Sequence, residues 1–174
     1  MISLSCVFKP LKTFLASRWL IHSLISTQLA VNLLDDILEG IYPEEEKTIM
    51  TAEILHCIIT HDSEAVPLTI EASVVRVADA LDLTKGRAKI PFAAGASDTH
   101  AVSAMSIKEL SIGTSDDKPI VVDIIMGNPA GLFHIEKLLR SKIRGGKLEK
   151  HIRVEAIISA DRDENQFPDR IVFE

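Results

Sequence analysis

Apolar residues recur at helical spacing in the first half of the chain, where three helices are predicted. The middle one of the three begins at Pro43, has three glutamates in its first turn and runs to about His61. A third extends from the N-cap residue Thr69 to about Thr84. The first helix ends before Gly40 and is marked by Leu20, Leu24, Thr27, Val31, Leu34 and Leu38.

The third predicted helix carries apolar residues on two sides, which is typical of a helix in a protein interior. Asp79, in the middle of it, is therefore expected to be largely buried and to be paired, hydrogen-bonded or bound to a metal. Arg76, three residues earlier, is one candidate partner. Asp82 is expected nearer the edge. The two stripes consist of Ile70, Val74, Val77 and Leu81, and of Ala72, Val75 and Ala78.

The periodicity changes after residue 100, where alternating segments predict strands over 103–112, 118–126 and 152–159. Asn128 and Pro129 begin a helix over 130–143, which Gly145 and Gly146 end. The sequence thus predicts an α+β protein. It has a mainly α-helical domain over 1–92, a small β-β-α-β unit over 102–160 and a tail over 161–174.

Composition narrows the possible functions. With 174 residues, of which 47% are hydrophobic and 25% charged, the chain is predicted to be globular. A net charge of −6 and 5% aromatic residues argue against general nucleic-acid binding. No apolar run reaches the ~20 residues that a membrane helix needs. Cys6 and Cys57 make no disulfide framework, so free thiols and a cytoplasmic location are expected.

Histidines and carboxylates at the helix ends are the candidate chemistry. Together these residue types suit Fe, Mn, Zn or Ni, with an open position for water. His56 and His61 are five residues apart, about 140° around a helix, so they cannot both bind one ion. His61 is the better ligand because it stands beside Asp62 on the apolar face. His56 is interpreted as a packed or partly exposed residue. Taken alone, His61-Asp62 also fits an ordinary helix end.

The segment AEILHCIITHDSEAVPLTIEASVVRVADALDLTKGRAKIPF, residues 52–92, resembles the later half of an HD-superfamily metal-dependent phosphohydrolase domain in its archaeal form. The resemblance implies a divalent ion (Mn, Fe, Ni, Zn or Mg) held by His22, His61, Asp62 and Asp79. Asp79 and His61 would be catalytic. The implied reaction is hydrolysis of a nucleotide-like phosphate ester by a metal-activated water. Lys85 and Arg87 are candidates to bind the phosphate, although ordinary charges at a helix C-terminus explain them equally well.

The chain departs from the HD pattern at its start. The superfamily is named for an early His-Asp doublet preceded by another histidine, whereas here His22 is the first histidine. Either a degenerate paralogue, with activity impaired or else lost together with the metal, or a truncated or misassigned start explains this. The partners implied are a small phosphorylated molecule and, because the apolar helix ending at Leu38 would lack its cover, a homodimer or larger assembly. The alternative function is a non-catalytic scaffold that self-associates.

Overall fold

Helices form the first part of the chain and a four-stranded sheet the second, so the predicted α+β class is confirmed. The computed structural model describes residues 22–62, 65–82, 103, 105–159 and 170–173. It consists of two compact units, the first ending at Arg76 and the second beginning at Val77. No helix in these ranges is both long and apolar enough to cross a membrane.

The first unit contains helix α1, His22–Leu38, and helix α2, Glu44–Thr60. Gly40 has a φ of +71°, a conformation that glycine adopts readily, and it follows α1 where the sequence predicted a stop. The Lys47 ammonium on α2 joins the two helices. It forms ion pairs with Asp35, 2.7 Å away, and with Glu39. Its hydrogen bonds to these carboxylates raise the pKa of Lys47 above its usual range.

Helix α1 buries less of its apolar surface than its spacing predicts. Leu34 and Leu38 are buried, but Leu24 and Val31 of the predicted stripe are almost half exposed. The buried positions nearer the start of the helix are serines, Ser23 and Ser26. A second group of apolar side chains is exposed as well. It consists of Leu29, Leu33 and Ile37, four residues apart and so on one side of the helix.

Helix α3, Ile70–Ala80, begins as predicted, because the Thr69 hydroxyl oxygen accepts a hydrogen bond from the Ala72 amide at 3.3 Å. It ends earlier than expected: the Leu81 amide bonds the carbonyls of both Val77 and Ala78, which tightens the last turn. The prediction that both of its sides are buried is wrong. One side is buried and consists of Ala72, Ser73, Arg76, Val77 and Ala80, whereas Ile70, Val74 and Val75 are 42–47% exposed.

The second unit holds a sheet in the order β1-β2-β3-β4. Its strands are Ile107–Gly113, Ile120–Met126, Ile152–Ile158 and Arg170–Phe173. Strand β2 pairs antiparallel with β1 and parallel with β3, and β3 pairs antiparallel with β4. A parallel neighbour requires a crossover connection, which the helix between β2 and β3 provides. The predicted β-β-α-β order is therefore present. Two details differ: β1 begins at Ile107, later than expected, and the predicted tail supplies β4.

The crossover helix, α4, spans residues 131–143 and contains a π-helical turn at Ile135–Arg140. Asn128 precedes it and accepts a hydrogen bond from the Ala130 amide at 2.9 Å. Gly145, just beyond it, has a φ of +74°. Ile135 and Leu139 pack into the core of this unit. The core side chains that the sheet contributes include Ile107, Val122, Ile124, Met126, Ile152, Val154 and Ala156.

Gly131, the first residue of α4, has little room for a side chain. A Cβ atom added there would lie 2.5 Å from the Met126 sulfur, which is fully buried and has little room to move. We expect Gly131→Ala to lower the free energy of unfolding by about 1–3 kcal/mol through overpacking. Urea denaturation measures this. The control is Gly113→Ala, where no atom lies within 4 Å of the added Cβ. Equal stability of the two variants would contradict the prediction.

Candidate metal centre

Three of the four predicted ligands converge in the first unit. His22 is the first residue of α1, and His61 and Asp62 directly follow α2. One nitrogen from each imidazole and one carboxylate oxygen lie within 4.8 Å of one another. The His22 side chain is 12% exposed and that of Asp62 29%, so the group is partly shielded but reachable from solvent.

The distances within this group fit a common ion. His22 Nε2 is 3.2 Å from His61 Nε2 and 3.3 Å from Asp62 Oδ2. Two ligands that are each ~2.0–2.1 Å from a tetrahedral ion are about 3.3 Å apart. Both measured separations are close to that value. Two imidazole nitrogens and one carboxylate oxygen also form a donor set that suits Zn, Fe, Mn, Co or Ni.

The orientation of the His61 ring is fixed by the backbone of its own helix. Its Nδ1 lies 2.6 Å from the Ile58 carbonyl oxygen, which can only accept, so Nδ1 carries the proton. The lone pair of neutral His61 is therefore on Nε2, the atom that faces His22. Metal-binding histidines are commonly held in this way, with the second ring nitrogen donating to a carbonyl.

The two rings meet edge to face, with centroids 5.2 Å apart and planes at 79°. Because His61 Nε2 offers a lone pair, a proton on His22 Nε2 can be donated to it or to Asp62 Oδ2. An ion bound between these atoms would take the place of that proton. Ligand binding and proton release are coupled at such sites.

Asp79, the fourth predicted ligand, lies in the second unit. Its Oδ2 is 2.7 Å from Lys142 Nζ on α4, so its ion-pair partner is this lysine rather than the expected Arg76. The Asp79 side chain is 30% exposed, so it is partly buried and less enclosed than the predicted interior position implied. A place for Asp79 beside His61 stays a prediction, while Asp82 is exposed at the helix end as expected.

The remaining candidate residues have simpler roles. His56 accepts a hydrogen bond from the Leu68 amide at 3.0 Å and is partly exposed, as predicted. Cys57 is a free thiol, and burial raises its pKa. The proposed phosphate ligands Lys85 and Arg87, like Cys6, lie outside the described residues.

No functional role was predicted for Arg76, which the structure places within electrostatic range of Asp62. The side chain is only 7% exposed. Burial lowers the pKa of its guanidinium, and the charge of Asp62 opposes that shift. One sequence signal could have identified it. Arg76 is the only basic residue of α3, and it lies on the face that also carries Ala72, Ser73, Val77 and Ala80.

Comparison with known proteins gives one relative to report. Over 142 residues, 82% of this chain, the sequence is 40% identical to the uncharacterized protein MJ1020 of Methanocaldococcus jannaschii. The chain spans about half the length of that archaeal protein, 55%. No family model matches the sequence. No solved structure matches it either.

The Asp79–Lys142 contact can be tested by a double-mutant cycle with Asp79→Asn and Lys142→Met. Both groups are partly buried, so we expect a coupling free energy of about 1 kcal/mol. Urea denaturation of the four proteins measures it. The control pair is Arg144 and Glu136, 3.7 Å apart and more exposed, for which little coupling is expected. A coupling of zero for Asp79 and Lys142 would contradict the contact.

Proposed function

We propose that this protein is a metal-dependent phosphohydrolase related to the HD superfamily, which hydrolyses a phosphate ester of nucleotide type. The single observation that carries the proposal is the convergence of His22 Nε2, His61 Nε2 and Asp62 Oδ2 at 3.2–3.3 Å. The sequence resemblance names the same three residues as ligands. The archaeal relative agrees with the archaeal form of the resemblance, although its own function is uncharacterized.

His22, His61 and Asp62 would hold the ion, and three protein ligands leave positions open for water and substrate. A divalent ion bound there would lower the pKa of a water molecule and polarise a phosphoryl oxygen. The Ile58 carbonyl keeps His61 in the tautomer that can ligate. The negative charge of Asp62 attracts a cation and repels a free phosphate as long as no metal ion is bound.

The proposal is tested with the full chain, Mn²⁺ or Ni²⁺, and p-nitrophenyl phosphate and nucleotides as substrates. His61→Gln removes a ligand and is expected to lower kcat/KM by at least about 100-fold. His56→Gln is the matched control. It makes the same substitution about one helical turn earlier, within α2, and the glutamine side chain still offers an oxygen acceptor to the Leu68 amide. Activity within about twofold of wild type is therefore expected.

Asp79→Ala extends this experiment to the fourth proposed ligand. If Asp79 completes the ligand set, the variant loses activity to the same degree as His61→Gln. Full activity would exclude Asp79 from the ligand set. Hydrolysis by wild type that does not depend on the metal, or that His61→Gln leaves unchanged, would overturn the proposed function.

The alternative function, a scaffold that self-associates, is supported by a different observation. Leu29, Leu33 and Ile37 on one side of α1 are 49–60% exposed. A row of large apolar side chains in contact with water favours association. We propose that this row is a contact between copies of the chain, giving a homodimer or larger assembly whether or not the protein is an enzyme.

We expect the wild-type chain to be oligomeric at micromolar concentration in light scattering, and the double variant Leu29→Glu, Leu33→Glu to be monomeric. Two charges placed in an apolar contact would have to be desolvated. The control is Gln28→Glu, Asn32→Glu, which adds the same charge at exposed polar positions of the same turns. A monomeric wild type would contradict self-association.

A further inference from the structure

Arg76 is a buried cation whose hydrogen bonds go to backbone carbonyl groups. Its Nη1 donates to the Ala65 carbonyl and lies 3.5 Å from the Thr60 carbonyl oxygen. Thr60 and Ala65 stand on either side of His61 and Asp62 in the chain. One guanidinium therefore holds both ends of the short segment that carries two of the three candidate ligands.

The position of Thr60 gives this contact a second role. It is the last residue of α2, and the carbonyl groups at a helix C-terminus have no partner within the helix. A cation is favourable there because the C-terminal end carries partial negative charge. Arg76 thus places a hydrogen-bond donor and a positive charge at the C-terminal end of α2, next to His61.

Electrostatic attraction to Asp62 accompanies these two hydrogen bonds. Burial disfavours the charged guanidinium, and attraction to Asp62 is the interaction that opposes this effect. The planar guanidinium can direct several N–H groups towards different acceptors, whereas a lysine ammonium is a compact charge on a flexible stem. In this structure both carbonyl groups accept from Nη1, and the charge of the guanidinium is delocalised over a rigid plane.

We propose that Arg76 is the positioning residue of the metal centre: by binding the Thr60 and Ala65 carbonyls beside Asp62, it sets the geometry in which His61 and Asp62 hold an ion. This inference rests on the proposed function. Arg76 does not touch the ion itself. Its loss changes how tightly and in what geometry the ion binds, while the ligands themselves remain.

The test uses Co²⁺ alone as the probe, because its visible spectrum reports coordination geometry and calorimetry gives its affinity. For the full chain, Arg76→Met is expected to weaken Co²⁺ binding by about 10–100-fold, the range seen when groups that orient metal ligands are lost, and to change the spectrum. Arg76→Lys keeps the charge and one donor, so partial recovery is expected. Arg140→Met, which removes a guanidinium paired with Glu136 in the second unit, is the control and should bind as wild type does.

Thermal unfolding of the metal-free variants separates positioning from stability. A merely structural role would lower the Tm but leave the affinity and spectrum of the folded fraction unchanged, and that result would overturn the inference. If Arg76→Met does not fold, Arg76→Lys decides: a weakened affinity with an altered spectrum supports positioning, and wild-type binding overturns it. Absence of Co²⁺ binding by wild type would overturn both this inference and the proposed function, whereas unchanged binding by both variants would overturn this inference alone.

Discussion

The approach of the His22 and His61 imidazoles to 3.2 Å constrains the first unit, because it brings the start of α1 to the end of α2. Two nitrogens at this distance are compatible only if one carries a proton or both face a cation. The Ile58 carbonyl decides which tautomer His61 adopts. The start of α1 must then be held close to the end of α2, and the Lys47 ion pairs with Asp35 and Glu39 join the same two helices near their other ends.

The second unit depends on a different constraint, the parallel pairing of β2 with β3. Such a pair needs a connection long enough to cross the sheet, and α4 meets that need. The helix packs so closely that a Cβ added at residue 131 would displace the buried Met126 side chain. Lys142 on α4 forms an ion pair with Asp79, so both partners of this pair lie in the second unit.

Three basic side chains among the described residues have little access to water. Lys47, Arg76 and Lys142 are each at most about an eighth exposed, and each faces an acidic group or a backbone carbonyl. Burying a cation without such partners is costly. Only Arg76 among them lies beside the histidine and aspartate group, and that location distinguishes it from the two structural lysines.

Local sequence determined most elements of this fold but not strand β4, which lies in the predicted tail. The resemblance, rather than the local pattern, indicated the ligands of the candidate site. Thr69, Asn128, Gly40 and Gly145 mark helix ends because their side chains or backbone freedom act over a few residues, and His61 and Asp62 stand out because they end a helix. The partners of charged groups could not be predicted in this way. Asp79 meets Lys142, 63 residues away, and Arg76 binds the carbonyls of Thr60, the last residue of α2, and of Ala65 in the loop that follows. The burial of α3 on one side also depended on what packs there. These outcomes were decided by tertiary structure, because burial and ion pairing depend on neighbours that periodicity does not identify.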